Sequence, residues 1–370
     1  MGIRKASAPA GLRHDVALAP LTTLELGGAA TEFVAAYSDA EVGEALRWAT
    51  GEHLPIVALG GGSNVVVADA GFPGLVVALA QRGILVEEAG DFVRIAAAAG
   101  ENWDDLVART VAEGWAGLEC LSGIPGTVGA TPVQNVGAYG QEVGETIVGV
   151  RVLDRTSLTQ RDLTAAECSF GYRTSAFRRA PERFVVLAVT FALRGHGAAR
   201  VAYAELAHTL AVRTAAPTLT DVRAAVIELR RGKAMVSDAC DPDSRSVGSF
   251  FVNPVVTPET AAGIVGRAVT TGLVASSDDV PRFATRDSRV KIPAAWLVEH
   301  SGFVRGFRRG AVGISSRHAL ALVHHGGGST ADLIDLAREI RTAVVATFGV
   351  DLAVEPTFLG FPPGDPLAAT

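Results

Sequence analysis

Residues 121–142 read LSGIPGTVGATPVQNVGAYGQE, and this glycine-rich segment is the most informative stretch of the 370-residue chain. Five of its residues are glycine. Glycine weakens helices and strands, so the packing of a protein core does not explain so many glycines together. A backbone with few side chains exposes N–H and C=O groups, which a flat ring with polar edges requires of its binding site. We therefore expect this segment, the second glycine tract, to lie against such a ring.

A shorter run, Gly60–Gly62, is followed by Ser63 and Asn64 and forms the first glycine loop. The apolar segments on either side, 55–59 and 65–68, are predicted to be strands. Amide groups in such a loop can converge on an anion such as a diphosphate, although a tight connection without a ligand is the simpler interpretation of the run alone. The loop matches neither the G-x-G-x-x-G pattern nor the G-x-x-x-x-G-K-[ST] pattern, so the Rossmann and P-loop interpretations do not apply. For the second glycine tract, a flavin is a ligand whose flat ring has the polar edges described above.

Outside these two segments the chain alternates helix and strand signals. Ser38 precedes a helical pattern in the way a helix N-cap does. Short β-branched runs between residues 79 and 193 surround one helix, which is typical of an α+β domain rather than a doubly wound one. The predicted helices are 39–50, 103–114, one that begins at 258, 294–300 and 330–348, and the segment 198–231 is predicted to be mostly helical. The further predicted strands are 92–95, 147–153, 184–193 and 351–360. A turn is predicted over 69–74 and a loop over 237–246.

Composition limits the class of protein. The formal net charge of −6 argues against a nucleic-acid partner, because nonspecific binding to phosphate backbones needs a basic face. The longest apolar stretch, 185–193, is far shorter than the roughly 20 residues of a membrane span. Residues 1–10 lack the apolar segment of a secretory signal, so we expect a cytoplasmic protein without membrane insertion. The three cysteines are far apart and are not paired with histidines at metal-ligand spacing, so we expect free, mostly buried thiols and no metal site.

Both glycine-rich segments resemble those of a known flavoprotein family. The combination of residues 60–64 with Ile124-Pro125-Gly126 resembles the vanillyl-alcohol-oxidase-like (PCMH-type) flavin fold. The run Gln134-Asn135-x-Gly137-Ala138-Tyr139-Gly140 is similar to that of the UDP-N-acetylenolpyruvoylglucosamine reductase family. The resemblance extends from about residue 22 to residue 360. It implies an α+β, two-part FAD-binding fold followed by a smaller α/β substrate-binding domain.

The resemblance also implies a division of the chain and a set of cofactor contacts. The expected parts are FAD-binding subdomains over 1–78 and 79–236, a substrate-binding domain over 237–348, and a C-terminal strand and tail over 349–370. FAD would be noncovalent, with its diphosphate on the first glycine loop and its ring on the second glycine tract. The cofactor residues carried over by motif are Gly60, Gly61, Gly62, Ser63, Asn64, Ile124, Gly126, Gly129, Gln134, Asn135 and Ala138.

Three isolated polar residues match the catalytic positions of that family, in order. Arg173 stands among aromatic residues, Ser249 follows a glycine at the start of an apolar segment, and Glu355 precedes a proline. Each alone has a plain interpretation, as a surface arginine stacked on tyrosine, a strand serine outside any G-x-S-x-G elbow, and an exposed glutamate. Together, the resemblance implies that Ser249 donates a proton. It also implies that Arg173 and Glu355 activate the enolpyruvyl carboxylate and stabilise its enolate-like intermediate.

The same resemblance implies contacts with a UDP-sugar. Lys233 would contact the diphosphate, Tyr203 would cover it in the longer subtype of the family, Asn253 would lie at the substrate, and Tyr139 would lie near both the ring and the substrate. The chain departs from the family pattern after Lys233, where a proline-containing run is expected. Arg230 or Arg231 could therefore share the role of Lys233.

The implied activity is reduction of the enolpyruvyl double bond of UDP-N-acetylglucosamine-enolpyruvate, a step toward peptidoglycan, with NADPH as hydride donor. NADPH rests on the resemblance alone, because no ribose-phosphate motif is visible. Two alternatives stay open: a flavin oxidase of an alcohol or sugar with the same wider fold, and a noncatalytic UDP-sugar-binding protein. The oligomeric state is left open. The run HHGGG at 324–328 is expected to be a turn rather than a metal or phosphate site.

Overall fold

The computed structural model describes residues 7–212, 214–285 and 287–368. Arg4 and Lys5, in the N-terminal segment considered above, lie outside the described residues. The chain forms two compact units, and each is discontinuous in sequence. The first unit contains residues 7–17, 29–62 and 72–237, and the second contains 18–28, 63–71 and 238–368. The predicted division used contiguous parts and placed the short segments 18–28 and 63–71 in the first FAD-binding subdomain, 1–78. In the structure both segments belong to the second unit.

The described elements have the following bounds. The helices are α1 Asp39–Gly51, α2 Trp103–Ala112, α3 Ala165–Cys168, α4 Ala176–Arg179, α5 Ala204–Ala211, α6 Leu219–Gly232, α7 Pro258–Thr270, α8 Ala294–Glu299 and α9 Thr330–Phe348. The strands are β1 Arg13–Ala17, β2 Ala29–Ala36, β3 Ile56–Leu59, β4 Val65–Val67, β5 Phe72–Leu79, β6 Ile84–Ala89, β7 Phe92–Ala98, β8 Trp115–Ala116, β9 Gly137–Ala138, β10 Gln141–Glu142, β11 Ile147–Asp154, β12 Thr159–Thr164, β13 Phe184–Gly195, β14 Ser246–Ser249, β15 Val255–Val256, β16 Phe283–Ala284, β17 Val290–Lys291, β18 Arg308–Arg309, β19 Val312–Ile314, β20 Ala321–His324 and β21 Thr357–Leu359.

The first sheet of the first unit has the order β1-β2-β5-β3, and β5 pairs in parallel with both β2 and β3. Helix α1 connects β2 to β3. Its N-terminus is capped by Ser38, whose side chain accepts a hydrogen bond from the Glu41 N–H at 3.2 Å. Val42, Leu46 and Ala49 form the buried face of α1 and belong to one apolar core with the sheet. The first glycine loop therefore leaves the end of β3, a strand that is paired and packed.

The second sheet of the first unit has the order β12-β11-β13-β7-β6, and its neighbouring strands are antiparallel. Helix α2 packs on this sheet through the fully buried Trp103. The indole N–H of Trp103 donates to the Leu121 carbonyl at 3.0 Å, and its backbone N–H donates to the Gly126 carbonyl at 3.1 Å. The start of α2 thereby holds the beginning of the second glycine tract against a rigid core.

The second unit combines a four-stranded sheet, β14-β20-β19-β18, with a three-stranded sheet, β15-β17-β16. Strand β21 pairs in parallel with β4, so the C-terminal strand and residues 63–71 are one structural element of this unit. A Ser329–Asp332 capping box begins α9, and Gly349, with φ +68°, ends it. Phe250 and Phe251 are buried in the core, with ring centroids 5.2 Å apart.

Most predicted elements are present, including α1, α2, α8 and α9 and the strands that flank the first glycine loop. The predicted turn over 69–74 is wrong in its second half, because β5 begins at Phe72. A register shift between β2 and β5 at this point accommodates Pro73. The predicted strand 351–360 is paired only at Val354 and over β21, since Pro356 cannot donate to a ladder. The helical text over 198–231 forms two helices, α5 and α6. No helix among the described residues is long and apolar enough to cross a membrane.

Candidate active site

The two glycine-rich segments touch each other within the first unit. A Cβ atom placed on Gly61 would lie 2.7 Å from Gly126 Cα, and a Cβ on Gly60 would lie 2.5 Å from Thr127 Oγ1. Real Cβ atoms do not approach other atoms so closely, so side chains at these two positions would separate the segments. Close approach to the second tract therefore explains Gly61, which meets backbone of Gly126, and Gly60, which meets the Thr127 side chain, and the structure brings Gly60, Gly61 and Gly126 together.

A buried polar atom marks this junction. Thr127 Oγ1 is buried without a hydrogen-bond partner among residues 7–212, 214–285 and 287–368. Buried hydroxyls normally have a partner, and an unsatisfied one costs about 1–3 kcal/mol. An unpartnered hydroxyl beside a side-chain-free cradle fits a polar ligand such as the FAD diphosphate. Gly129 has a packing reason as well, since a Cβ there would lie 2.5 Å from the Ala99 Cβ.

Asn135 organises the second half of the glycine tract. It is buried and has φ +50°, an uncommon backbone conformation for a residue with a side chain. Its Nδ2 donates to Glu142 Oε2 at 2.7 Å and to the Gly171 carbonyl at 3.1 Å. Its Oδ1 accepts from the Gly144 N–H at 2.8 Å. A residue predicted only as a cofactor contact thus also joins its own segment to residues 142–144 and to Gly171.

Tyr139 and Gly140 form the two-residue turn between β9 and β10. Both have positive φ, +48° and +80°, and Gln141 pairs with Ala138, which is the geometry of a type I′ hairpin. Tyrosine is uncommon in this conformation, so the surrounding structure must hold it there.

Ile124 and Ala138 pack against the core of the unit, and Gln134 Oε1 accepts a hydrogen bond from Arg178 Nη1 at 3.3 Å.

Arg173 lies at the tip of a second tight turn. The N–H of Gly171 donates to the Thr174 carbonyl and the N–H of Thr174 donates to the Gly171 carbonyl, at 3.0 and 3.1 Å, so Tyr172 and Arg173 form the tip. Arg173 has φ +50°, and its Nη2 donates to the Gly137 carbonyl at 2.9 Å. The Arg173 guanidinium also lies 5.7 Å from the Tyr172 ring centroid, as the plain interpretation expected. The turn nevertheless directs the guanidinium to the hairpin of the glycine tract.

The predicted substrate residues Tyr139, Tyr203 and Lys233 are adjacent in the first unit. The two tyrosine rings meet edge to face with centroids 5.6 Å apart, and Lys233 Nζ lies 5.7 Å from the Tyr139 ring centroid. Lys233 Nζ also forms an ion pair with Glu205 Oε2 at 2.6 Å. Sequence reasoning missed Glu205, which is in the first turn of α5, two residues after the Tyr203 cap. An anionic ligand at Lys233 would therefore compete with Glu205.

Arg230, one of the alternatives to Lys233, lies beside the glycine tract. A Cβ on Gly123 would be 3.6 Å from its Cδ and Nε. Its Nη2 donates to the Met235 carbonyl at 2.6 Å, and its Nε is a buried donor with no hydrogen-bond partner among the described residues. Burial lowers the pKa of Arg230 to about 10, so the guanidinium remains charged at neutral pH. Burial also raises the pKa of Tyr139 to about 12, which keeps that phenol protonated.

Asp104, which sequence reasoning also missed, fixes α6 to the same tract. Its carboxylate accepts hydrogen bonds from both terminal nitrogens of Arg223, at 2.6 and 2.8 Å, and from the Gly123 N–H at 2.6 Å. Burial raises the pKa of Asp104, but these hydrogen bonds and the nearby charges of Arg223 and Arg230 outweigh it, so the net shift is downward. Asp104 is thus an ionised anchor for the helix that contains Arg230 and is followed directly by Lys233.

In the second unit, Ser249 and Glu355 are brought together by the backbone. Ser249 ends β14, and the Glu355 N–H donates to the carbonyl of the next residue, Phe250, at 2.9 Å. Glu355 is only 9% exposed, so the plain interpretation of an exposed glutamate is wrong. Asn64 Nδ2 donates to the Glu355 carbonyl at 3.4 Å, so the end of the first glycine loop also belongs to this group.

His318 is the residue beside Ser249 that sequence reasoning missed. Its Nε2 lies 3.2 Å from Ser249 Oγ. The two residues are 69 positions apart, and no motif spacing connects them. Asn253, predicted at the substrate, has its Oδ1 occupied by the Ala294 N–H at 2.8 Å, at the start of α8. That bond fixes the orientation of its amide.

Two other expectations can be compared with the structure. The run 324–328 connects β20 to α9 as a turn, and both ring nitrogens of His324 have partners at 3.2 Å, the Leu24 carbonyl and the Gly328 N–H. Cys120 and Cys168 are buried thiols, whereas Cys240 is exposed. Burial raises the pKa of Cys120 to about 12, so this thiol is unreactive at neutral pH.

Comparison with protein-family models identifies both halves of the chain. Residues 30–161 match the FAD binding domain model. Residues 241–359 match the model described as the UDP-N-acetylenolpyruvoylglucosamine reductase C-terminal domain. The first match contains the first glycine loop and the second glycine tract, and the second contains Ser249, Asn253 and Glu355.

Curated relatives and a solved structure agree with these matches. The chain is 46% identical over 350 residues to the UDP-N-acetylenolpyruvoylglucosamine reductase of Thermobifida fusca, covering 94% of this chain and 98% of the relative. It is 50% identical over 349 residues to that of Salinispora arenicola, covering 92% and 94%. The crystal structure of the reductase from Thermus caldophilus is 23% identical, with a TM-score of 0.63 over 94% of this chain and 99% of that one, and so supports the fold. The resemblance and the fold class predicted from the sequence are confirmed, and the chain belongs to the UDP-N-acetylenolpyruvoylglucosamine reductase family.

Proposed function

We propose that this protein is an FAD-dependent reductase that uses NADPH to reduce the double bond of UDP-N-acetylglucosamine-enolpyruvate to UDP-N-acetylmuramate, in peptidoglycan precursor synthesis. The observation that carries the proposal is the Ser249, Phe250 and Glu355 arrangement, in which the N–H of the buried Glu355 donates to the carbonyl of Phe250, the residue next to Ser249. This pair lies inside the part of the chain that matches the reductase domain model. The oxidase alternative has no corresponding support.

The residues at the junction of the glycine segments fit FAD. Gly60 and Gly61 leave room for close backbone approach, and the unpartnered Thr127 hydroxyl supplies a polar contact. The cofactor residues proposed from the family motif stay as given above, from Gly60 through Ala138. When bound there, FAD would supply hydride transfer between NADPH and the substrate, which is chemistry that no protein side chain supplies.

The roles proposed for the side chains follow from where charge develops. Hydride addition to one carbon of the double bond moves negative charge toward the carboxylate, where a fixed cation or hydrogen-bond donor stabilises it by several kcal/mol. Arg173 serves as this cation, and its hydrogen bond to the Gly137 carbonyl limits its motion. Ser249 donates the proton to the neighbouring carbon, and Glu355 acts with Arg173 on the carboxylate end. A hydroxyl can serve as the acid because the acceptor is strongly basic.

The direct test is conversion of the proposed substrate. Protein, NADPH and UDP-N-acetylglucosamine-enolpyruvate are mixed, and mass spectrometry follows the appearance of a product heavier by two hydrogens. NADPH consumption without that product contradicts the proposal, as does rapid reoxidation of the flavin by air in place of substrate turnover. A protein that purifies without flavin and cannot be reconstituted supports a noncatalytic binding protein instead.

We expect the flavin to be released intact when the protein is denatured. The glycine segments supply a cradle and a platform, and no residue of the chain is predicted to attach the cofactor covalently. Acid precipitation followed by absorbance of the supernatant near the flavin band measures the released fraction. Flavin that sediments with the unfolded chain would contradict noncovalent binding.

Lys233→Ala is expected to raise the Michaelis constant for the UDP-sugar about tenfold, equivalent to ~1.4 kcal/mol, while flavin reduction by NADPH stays near normal. One partly exposed cation at the diphosphate acts on substrate affinity rather than on hydride transfer. Steady-state kinetics and stopped-flow reduction measure the two quantities.

Glu205→Gln is the matched control for Lys233→Ala. It removes the carboxylate that pairs with Lys233 but keeps the cation, so the Michaelis constant should fall or stay unchanged. An unchanged constant in Lys233→Ala would transfer the phosphate role to Arg230 or Arg231.

A further inference from the structure

The contact between Ser249 and His318 lies in a rigid part of the second unit. Ser249 is the last residue of β14, which pairs with β20, and the Phe250 N–H donates to the Leu320 carbonyl at 2.8 Å. His318 lies in the connection between β19 and β20, and its carbonyl accepts from the Ala321 N–H at 3.1 Å. Ser249 therefore comes from the end of β14 and His318 from the connection that leads into the neighbouring strand β20, and Ser249 Oγ and His318 Nε2 lie 3.2 Å apart.

A buried carboxylate holds the connection that carries His318. Asp243 Oδ2 accepts three hydrogen bonds, from Ser315 Oγ at 2.9 Å and from the N–H and Oγ of Ser316 at 2.8 and 2.7 Å. Arg317 forms an ion pair with Asp241. Burial raises the pKa of Asp243, but the hydrogen bonds from Ser316 and Ser315 and the charge of Arg317 lower that pKa by more than burial raises it. The net shift is downward, so the carboxylate is ionised at neutral pH. The three residues before His318 are thus fixed.

We propose that His318 is a positioning residue that donates a hydrogen bond from Nε2–H to Ser249 Oγ. This inference rests on the proposed function, in which Ser249 donates its own proton to a substrate carbon. An imidazole that donates to Oγ occupies a lone pair of the hydroxyl, so the serine proton points to another acceptor. The same bond stabilises the negative charge that develops on Oγ as the proton leaves.

The opposite tautomer would prepare Ser249 for different chemistry. If Nε2 accepted the hydrogen bond, the serine proton would point at the ring, and Ser249 would resemble a nucleophile activated by a base. Proton donation to substrate and nucleophilic attack therefore require opposite tautomers of His318. The tautomer of the His318 ring therefore distinguishes the two roles of Ser249, proton donor and nucleophile, without any measurement of activity.

The first experiment compares variants of the holoenzyme in the step where the substrate reoxidises the reduced flavin. His318→Ala should slow reoxidation roughly 10- to 100-fold, the size of a hydrogen bond to a charged oxygen, and should leave flavin reduction by NADPH near normal. His318→Gln should recover most of the rate, because its amide N–H can donate from a similar position. His300→Gln is the control, since His300 lies in the same unit but bonds to the Trp296 carbonyl.

Combination with Ser249→Ala separates positioning from a general structural role. If His318 acts through Ser249, His318→Ala should have no further effect in the Ser249→Ala background. Equal slowing in both backgrounds would overturn the inference. If Ser249→Ala does not slow reoxidation, the proposed proton donor is wrong, whereas a slow Ser249→Ala with a normal His318→Ala contradicts the positioning role alone.

The second experiment reads the tautomer directly. The chain has eight histidines, so nitrogen NMR of histidine-labelled holoenzyme can resolve the His318 signals, which are assigned by their loss in His318→Gln. We expect a protonated Nε2. A protonated Nδ1 with bare Nε2, or labelling of Ser249 by a fluorophosphonate, would overturn the inference.

Discussion

In Ser249→Ala, reoxidation of the reduced flavin by the enolpyruvyl substrate is expected to fall about 10²- to 10⁴-fold, the usual contribution of general-acid catalysis. Reduction of the flavin by NADPH should stay close to normal, because that step takes no proton from the serine. Substrate affinity should change little, since one small hydroxyl contributes little to ground-state binding. Stopped-flow traces of the two half-reactions measure both rates.

The control is a serine of the same unit with a structural bond only. Ser301 Oγ donates to the Leu297 carbonyl at 2.8 Å, so Ser301→Ala should leave both half-reactions unchanged. Normal reoxidation in Ser249→Ala means that another group donates the proton. Collapse of flavin reduction instead would show that Ser249 acts in the wrong half-reaction for this mechanism.

Local features of this chain were predictable because their causes are local. Ser38 precedes a run of residues with helical spacing, and a side-chain cap needs only the next three residues, so α1 begins where expected. The same holds for the capping box that begins α9. The glycine tracts were recognised because their residue types are unusual anywhere except at close backbone approaches. Gly61 and Gly126 meet such a requirement in the structure.

The partners of the functional residues could not be predicted, because they come from distant parts of the chain. His318 and Ser249 are 69 positions apart, and Asp104 and Arg223 are 119 apart. Single-sequence patterns carry periodicity and caps but no information on which loops meet. Glu355 illustrates the same limit, since it is buried and its N–H bonds to the distant Phe250, and no local pattern near residue 355 indicates either feature.

Gly61→Ala is expected to weaken FAD binding by about 5- to 150-fold, equivalent to ~1–3 kcal/mol of overpacking. The added Cβ would lie 2.7 Å from Gly126 Cα, and backbone cannot rotate away as a side chain can. Gly126 is itself restrained, because its carbonyl accepts the N–H of the fully buried Trp103. The first loop must therefore move away from the second tract, and a cofactor that spans both loses contacts on at least one.

Gly51→Ala provides the comparison, because a Cβ on this glycine at the end of α1 would meet no atom within 4 Å. It should bind FAD like the parent protein and be at least as stable, since alanine favours helix over glycine. Titration of the two apoproteins with FAD, followed by flavin fluorescence, gives both dissociation constants. Thermal unfolding of the apoproteins separates a local from a global effect.

Equal FAD affinities of the Gly61→Ala and Gly51→Ala variants would show that close contact between Gly61 and Gly126 is not needed for FAD binding. A general loss of stability in Gly61→Ala would instead show that the contact supports the fold of the first unit, whereas weaker binding at unchanged apoprotein stability would place its role at the cofactor.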